Sequence, residues 1–103
     1  MGGQRVLFEH GTGFTIHDKH PVTEAHHLIV PKWHVADYLE MSDIERRDAE
    51  ALLVVLREQI VKVDSTVTGF NVGMNCGEVA GQTVMHAHVH LIPRRVGNVT
   101  VDT

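Results

Sequence analysis

Three histidines at alternate positions, His86, His88 and His90, lie within Gly81-Gln82-Thr83-Val84-Met85-His86-Ala87-His88-Val89-His90-Leu91-Ile92-Pro93 and constrain the chain more than any other stretch. Successive side chains of an extended strand point to opposite faces, so the imidazoles are expected on one face and Met85, Ala87, Val89 and Leu91 on the other. Each imidazole carries a donor and an acceptor that burial leaves to be satisfied, which makes a row of three a poor filling for an apolar core. The strand is predicted to give one face to the core and the other to a ligand, a metal or water.

Upstream, Val6 to His10 and Phe14 to Asp18 flank Gly11-Thr12-Gly13, a pattern that predicts a hairpin. Phe14, Ile16 and Asp18 share a face, so Asp18 ends an apolar row, although a turn-initiating Asp before Lys19-His20-Pro21 accounts for it equally well. His26 to Val30, stopped by Pro31, reads as a buried third strand with His26 on the side of Leu28 and Val30; a hydrogen-bonded packing histidine is the default there. Lys32, Trp33 and His34 are expected at the surface. Ser42-Asp43-Ile44-Glu45 has the form of a capping box, and a helix is predicted from there to about Ser65, with Leu52, Val55, Leu56, Ile60 and Val63 as its core stripe. Leu53 and Val54 widen the apolar arc, which calls for a deep groove or a second subunit.

Phe70 to Asn75 alternates, with Phe70, Val72 and Met74 inward, and predicts a fourth strand antiparallel to the histidine strand. Cys76 to Gln82 between them is longer than the usual hairpin loop, and its glycines allow close backbone approach to a ligand. The order β-β-β-α-β-β implies an α+β fold, a five-stranded antiparallel sheet with one long helix on its apolar face. The domain is expected over residues 5–95, with residues 1–4 a disordered start and 96–103 a tail without strong pattern.

At 103 residues, of which 43% are hydrophobic, one domain with a modest core is expected. A net charge of −4 without a basic block excludes a long nucleic-acid backbone as partner. Cys76 alone excludes an internal disulfide and fits a reducing compartment, read as the cytoplasm. No apolar run approaches the roughly 20 residues of a membrane span, and the start lacks the form of a signal peptide.

A phosphate group suits three histidines with Asn75, Gln82, the Thr83 hydroxyl and loop N–H groups, all of which donate to its oxygens. An imidazole whose other nitrogen is held by an acceptor can also attack phosphorus, and the middle histidine is best placed to do so. The competing chemistry is zinc held by the same imidazoles. Alternate strand residues stand about 6–7 Å apart and no acidic ligand lies nearby in sequence, which favours phosphate. A polar stripe without catalysis is the plainest alternative.

His86-Ala87-His88-Val89-His90-Leu91-Ile92 resembles the His-φ-His-φ-His-φ-φ signature of the histidine triad (HIT) family of nucleotide hydrolases and transferases. Asp18, Pro21, the His26 to Lys32 stretch, His34, Asn75 and Gly81-Gln82-Thr83 extend the resemblance over about Val6 to Arg95, most closely to short bacterial members described as diadenosine-polyphosphate hydrolase-like. The resemblance implies that His88 attacks the α-phosphate of a purine nucleotide substrate to give a nucleotidyl-histidine that water resolves. It implies that His90 and His26 contact phosphate oxygens and that His86 supports the hydrogen bonding of the triad. Gln82 and Thr83 would meet the scissile phosphate or leaving group, Asn75 the ribose or phosphate, and Asp18 the ribose hydroxyls. No metal or other cofactor belongs to that chemistry, and a homodimer paired through the long helix and a strand is implied. A nucleotide-binding module without turnover is a further alternative. Ala25 stands where a glycine is common, a change expected only to stiffen the turn. The family divides between phosphoramidates or acyl-adenylates and dinucleoside polyphosphates, and the sequence leaves that choice open.

Overall fold

A computed structural model describes residues 5–97. Its strands are β1 (Phe8–His10), β2 (Gly13–His17), β3 (His27–Pro31), β4 (Gly69–Gly73) and β5 (Val89–Arg94), with one helix, α1 (Asp43–Val63), between β3 and β4. They form one five-stranded antiparallel sheet in the order β1-β2-β3-β5-β4, so the expected α+β architecture is the observed one. The expectations for residues 1–4 and for the tail beyond Gly97 lie outside the described residues.

Local chemistry sets these elements. Gly11 adopts φ +54°, the left-handed turn that joins β1 to β2, and a Cβ there would run into the Asp48 carboxylate. That carboxylate fastens the turn to α1, since Oδ2 accepts from the Thr12 N–H at 2.8 Å and from its hydroxyl at 2.7 Å. At the start of α1 the capping box is complete: Ser42 Oγ accepts from the Glu45 N–H and Glu45 Oε1 from the Ser42 N–H. The helix stops at Val63, short of the expected Ser65, because the Asp64 side chain turns back to the Thr66 N–H and hydroxyl. Among the described residues, no helix is long and apolar enough to cross a membrane.

Ala49, Leu52, Leu56 and Ile60 of α1 bury against Ile29, Val89 and Leu91 of the sheet. Each Leu or Ile so removed from water contributes about 1.5–3 kcal/mol. Val55 and Val63, predicted in this stripe, are exposed. Their place is taken by Ala49, one turn before Leu52 and Leu53, which a search for large apolar residues passes over. Because α1 packs on β1, β2, β3 and β5, it leaves the helix side of edge strand β4 open. Val72 shares the inward face of Phe70 yet is 54% exposed for that reason. A second, smaller apolar group, Ile16, Leu28 and Val30 with Phe14, lies on the sheet face away from α1.

Candidate active site

The cross-strand register builds the site from that second face. Ile16 pairs with Leu28, Leu28 with His90 and His90 with Gly73, a row running across β2, β3, β5 and β4. Over it opens a cavity of about 550 Å³ lined by Ile16, Asp18, Lys19, His20, Leu28, Asn75, Gly81, Thr83, Val84, His88 and His90. Its apolar floor is formed by Ile16 and Leu28, which sequence patterning assigns simply to the core. Parity already carries the signal: Ile16 shares its face with Asp18, and Leu28 with His26, so the face that carries the polar candidates carries them too.

The three triad histidines do not stand in one row. The chain bends through Val84, Met85 and His86, and pairing of β5 with β3 begins only at Val89. Met85, expected in the core, is therefore 50% exposed, and the His86 ring turns out of the cavity to donate from Nε2 to the Pro31 carbonyl at 3.0 Å. His88 is buried at the cavity wall, and its Nδ1 lies 2.8 Å from the His86 carbonyl oxygen. A carbonyl only accepts, so the neutral ring carries its proton on Nδ1 and keeps a lone pair on Nε2. His86 thus supports the triad through its backbone rather than its imidazole.

A second chain of bonds fixes His90. The Val22 N–H donates to His26 Nδ1 at 3.0 Å, so neutral His26 carries its proton on Nε2. That nitrogen lies 2.9 Å from His90 Nδ1 and 3.3 Å from Asp18 Oδ2. A His26 proton given to His90 Nδ1 leaves His90 with its own proton on Nε2. His26, 3% exposed, stands behind His90 and does not line the cavity floored by Ile16 and Leu28. Burial lowers the pKa of both rings below the usual histidine value; for His90 the His88 and His26 rings lower it further, and for both the Asp18 carboxylate works in the opposite direction.

The remaining candidates separate into two groups. Asp18, Asn75 and Thr83 line the cavity. Gln82 does not: its amide donates to the Ala36 and Val84 carbonyls at 2.7 and 3.0 Å, and its Oε1 accepts from the Gly77 N–H at 2.8 Å. It is 3% exposed and holds the loop from inside, with every amide group engaged. Lys19, His20 and Val84 join the wall without having been singled out in the sequence. Ala25 adopts φ +70°, the left-handed region, so the alanine strains this turn rather than merely stiffening it.

Among the described residues, the group of three potential metal ligands is Asp18, His26 and His90, not the triad. The donor set fits poorly. His26 Nδ1 accepts from the backbone, so Nε2 bears a proton and offers no lone pair to an ion.

A face of paired imidazoles over an apolar floor, one with a lone pair and one with an N–H, can offer a nucleophile and an oxyanion donor side by side. The family model described as the HIT domain matches residues 3–97, and the chain belongs to that family. It is 36% identical over 95 residues to an adenosine 5′-monophosphoramidase of Candida albicans, covering 86% of this chain and 60% of that protein. It is 32% identical over 89 residues to an adenylylsulfatase of Arabidopsis thaliana, covering 86% of this chain and 45% of that protein. Among solved structures, a HIT family protein from Bacillus anthracis superimposes with a TM-score of 0.83 at 33% identity, covering 92% of this chain and 67% of that one. The chain spans about three fifths of the length of the matched Mycoplasma genitalium and Candida albicans proteins, 59% and 60%.

Proposed function

We propose that this chain is a nucleotide hydrolase or nucleotidyl transferase that works at the α-phosphate through a nucleotidyl-histidine on His88. The observation that carries the reading is the bond from His88 Nδ1 to the His86 carbonyl, which leaves the Nε2 lone pair of a cavity-lining imidazole available. Ile16, Leu28 and Val84 offer an apolar surface for the base, Asp18 an acceptor for ribose hydroxyls, and Asn75 and Thr83 donors for phosphate. His90, through Nε2–H, donates to a non-bridging oxygen as charge develops on it.

The balance closes with water. A bond forms between His88 Nε2 and phosphorus as the bond to the leaving group breaks with its electron pair. Water then displaces His88, so that hydroxyl ends on phosphorus, the proton on the leaving group, and the lone pair returns to Nε2. Relatives named for phosphoramidate and adenylyl sulfate chemistry support a small leaving group on AMP over a second nucleotide.

The test is release of AMP from adenosine 5′-phosphoramidate and from adenylyl sulfate, with and without excess chelator. Turnover indifferent to chelator is expected. Chelator-sensitive turnover with stoichiometric zinc would return the zinc reading, and AMP binding without turnover of either compound would make the chain a binding module.

We also propose a homodimer through the open side of β4 and the adjoining face of α1. A groove there, of about 410 Å³, is lined by Tyr38, Leu53, Val72, Met74 and Val89 with Arg46, Arg47 and Glu50 among its polar neighbours. β4 is an edge strand, whose unpaired backbone groups can extend the sheet into a second copy.

A further inference from the structure

His90 and Asn75 each line two cavities. One is the site described above; the other, of about 370 Å³, opens on the same side of the sheet and is lined also by Val22, His26, Gly73 and Ile92. Strand order explains the division: β5 stands between β3 and β4, so the floor of Ile16 and Leu28 lies on one side of His90 and the second cavity on the other. A glycine keeps that cavity open. Gly73 pairs with His90 across β4 and β5, so a side chain there would stand on the face of the imidazole. Its backbone does not need glycine, since φ is outside the left-handed region, and a Cβ would meet no atom within 4 Å beyond the chain neighbours. A β-branched residue would suit the strand better. The missing side chain instead leaves space beside His90, as a strand glycine does where a ligand approaches the backbone.

The lining of the second cavity carries no carboxylate, ammonium or guanidinium among the described residues. Burial lowers the pKa of His26 and His90, so its two imidazoles are neutral near pH 7. The Arg94 guanidinium, outside the lining, donates from Nε to Asn71 Oδ1 at 2.7 Å. We propose that Gly73 sets the leaving group of the reaction: the group displaced from phosphorus lies over β4, in the cavity that this glycine keeps open beside His90, and is an amine with an uncharged apolar substituent rather than a further phosphate. The proposal rests on the nucleotidyl-transfer reading above and names the substrate class as N-substituted nucleoside 5′-phosphoramidates. With the nucleoside over Ile16 and Leu28 and phosphorus at His88 and His90, an in-line displacement puts the leaving group opposite His88 Nε2. His88 lines the first cavity alone, and the second begins past His90. The P–N bond breaks with its electron pair going to the amine nitrogen, which over the full turnover takes the proton that water gives up. A second phosphate in the same place would bring charge to a lining without a cation to meet it.

The experiment compares adenosine 5′-N-benzylphosphoramidate with the unsubstituted phosphoramidate on the wild-type chain and on Gly73→Val. Ammonia and benzylamine are amines of similar basicity, so the substituent and not the leaving ability separates the two compounds. The wild-type chain should favour the benzyl compound in kcat/KM by about tenfold or more, the effect of an apolar group filling an apolar pocket. In Gly73→Val that preference should fall by about tenfold or more, and in Gly73→Ala, the milder change, by less. The ratio of the two kcat/KM values cancels the folded fraction, so partial loss of folded protein in either variant does not imitate the result. Diadenosine tetraphosphate should be turned over less efficiently than the benzyl compound. A preference unchanged in Gly73→Val, or a wild-type chain that turns over diadenosine tetraphosphate more efficiently than the benzyl compound, would overturn the proposal. If the wild-type chain turns over none of the three compounds and binds no AMP, it is the nucleotide reading that has failed.

Discussion

His88 and His86 are joined ring to backbone, with His88 Nδ1 at 2.8 Å from the His86 carbonyl oxygen. The bend at His86 that takes its own side chain out of the cavity is what turns that carbonyl towards the next ring. A substitution of the His86 side chain therefore leaves the tautomer of His88 in place while removing the bond to the Pro31 carbonyl. His86→Asn is expected to slow turnover by a smaller factor than any change at His88, as measured by AMP release.

Gln82 is expected to act through the loop. Gln82→Ala removes the three part-buried hydrogen bonds that tie the Ala36 and Val84 carbonyls and the Gly77 N–H together. The loss should be about 1–3 kcal/mol, read as a lower urea midpoint. An unchanged midpoint with weakened nucleotide binding would return Gln82 to direct contact with the phosphate.

Stability should fall in mild acid. His27 is buried against the helix side of the sheet, and burial lowers its pKa below the usual 6.5, ahead of its bond to the Ala25 carbonyl, which raises it. The unfolded chain then binds the proton more readily than the folded one. The stability present above pH about 6.5 is lost as pH drops towards the folded pKa. His26 and His90 shift in the same direction and add to the slope. His27→Phe, facing Phe8, Leu56 and Ile60, should make the slope shallower below pH about 6.5. Superimposable slopes in denaturation series would count against it.

Ala25→Gly should stabilise the chain. A left-handed alanine costs about 1–2 kcal/mol, and glycine returns about 0.4–1 kcal/mol of that through the freer unfolded chain. A net gain of up to about 1.6 kcal/mol, a rise of several degrees in Tm, is expected. A lower Tm would show that the alanine methyl makes contacts that outweigh its backbone strain.

Sedimentation at micromolar concentration should give about twice the chain mass of 11.5 kDa. Val72→Lys, on the open side of β4, should return it to the monomer with its helix signal intact. A wild-type monomer would contradict the dimer, and a Val72→Lys dimer would move its interface elsewhere.

Much of this was legible because alternation and caps are local. The period of Ala87, Val89 and Leu91 placed the core side of β5, Ser42 and Glu45 started α1, and Gly11 turned the hairpin. What stayed hidden depends on contacts between distant segments. The bend at Val84 to His86 follows from where β5 first meets β3, which no spacing within the histidine motif records. Gln82 looks like a ligand donor until Ala36, 46 positions away, is seen to accept from it. Ile16 and Leu28 look like core until the helix is found on the other face.

The central claim is that His88 becomes covalently nucleotidylated, and a rapid-quench experiment with phosphate-labelled adenosine 5′-phosphoramidate tests it most directly. A label should appear on the wild-type chain within one turnover, resist base, be released by acid as a phosphorus–nitrogen bond is, and map to His88. His88→Asn, which keeps a donor and an acceptor near the phosphate, should bind AMP and carry no label. A label mapped to His86 or His90, or substantial turnover by His88→Asn, would contradict the account.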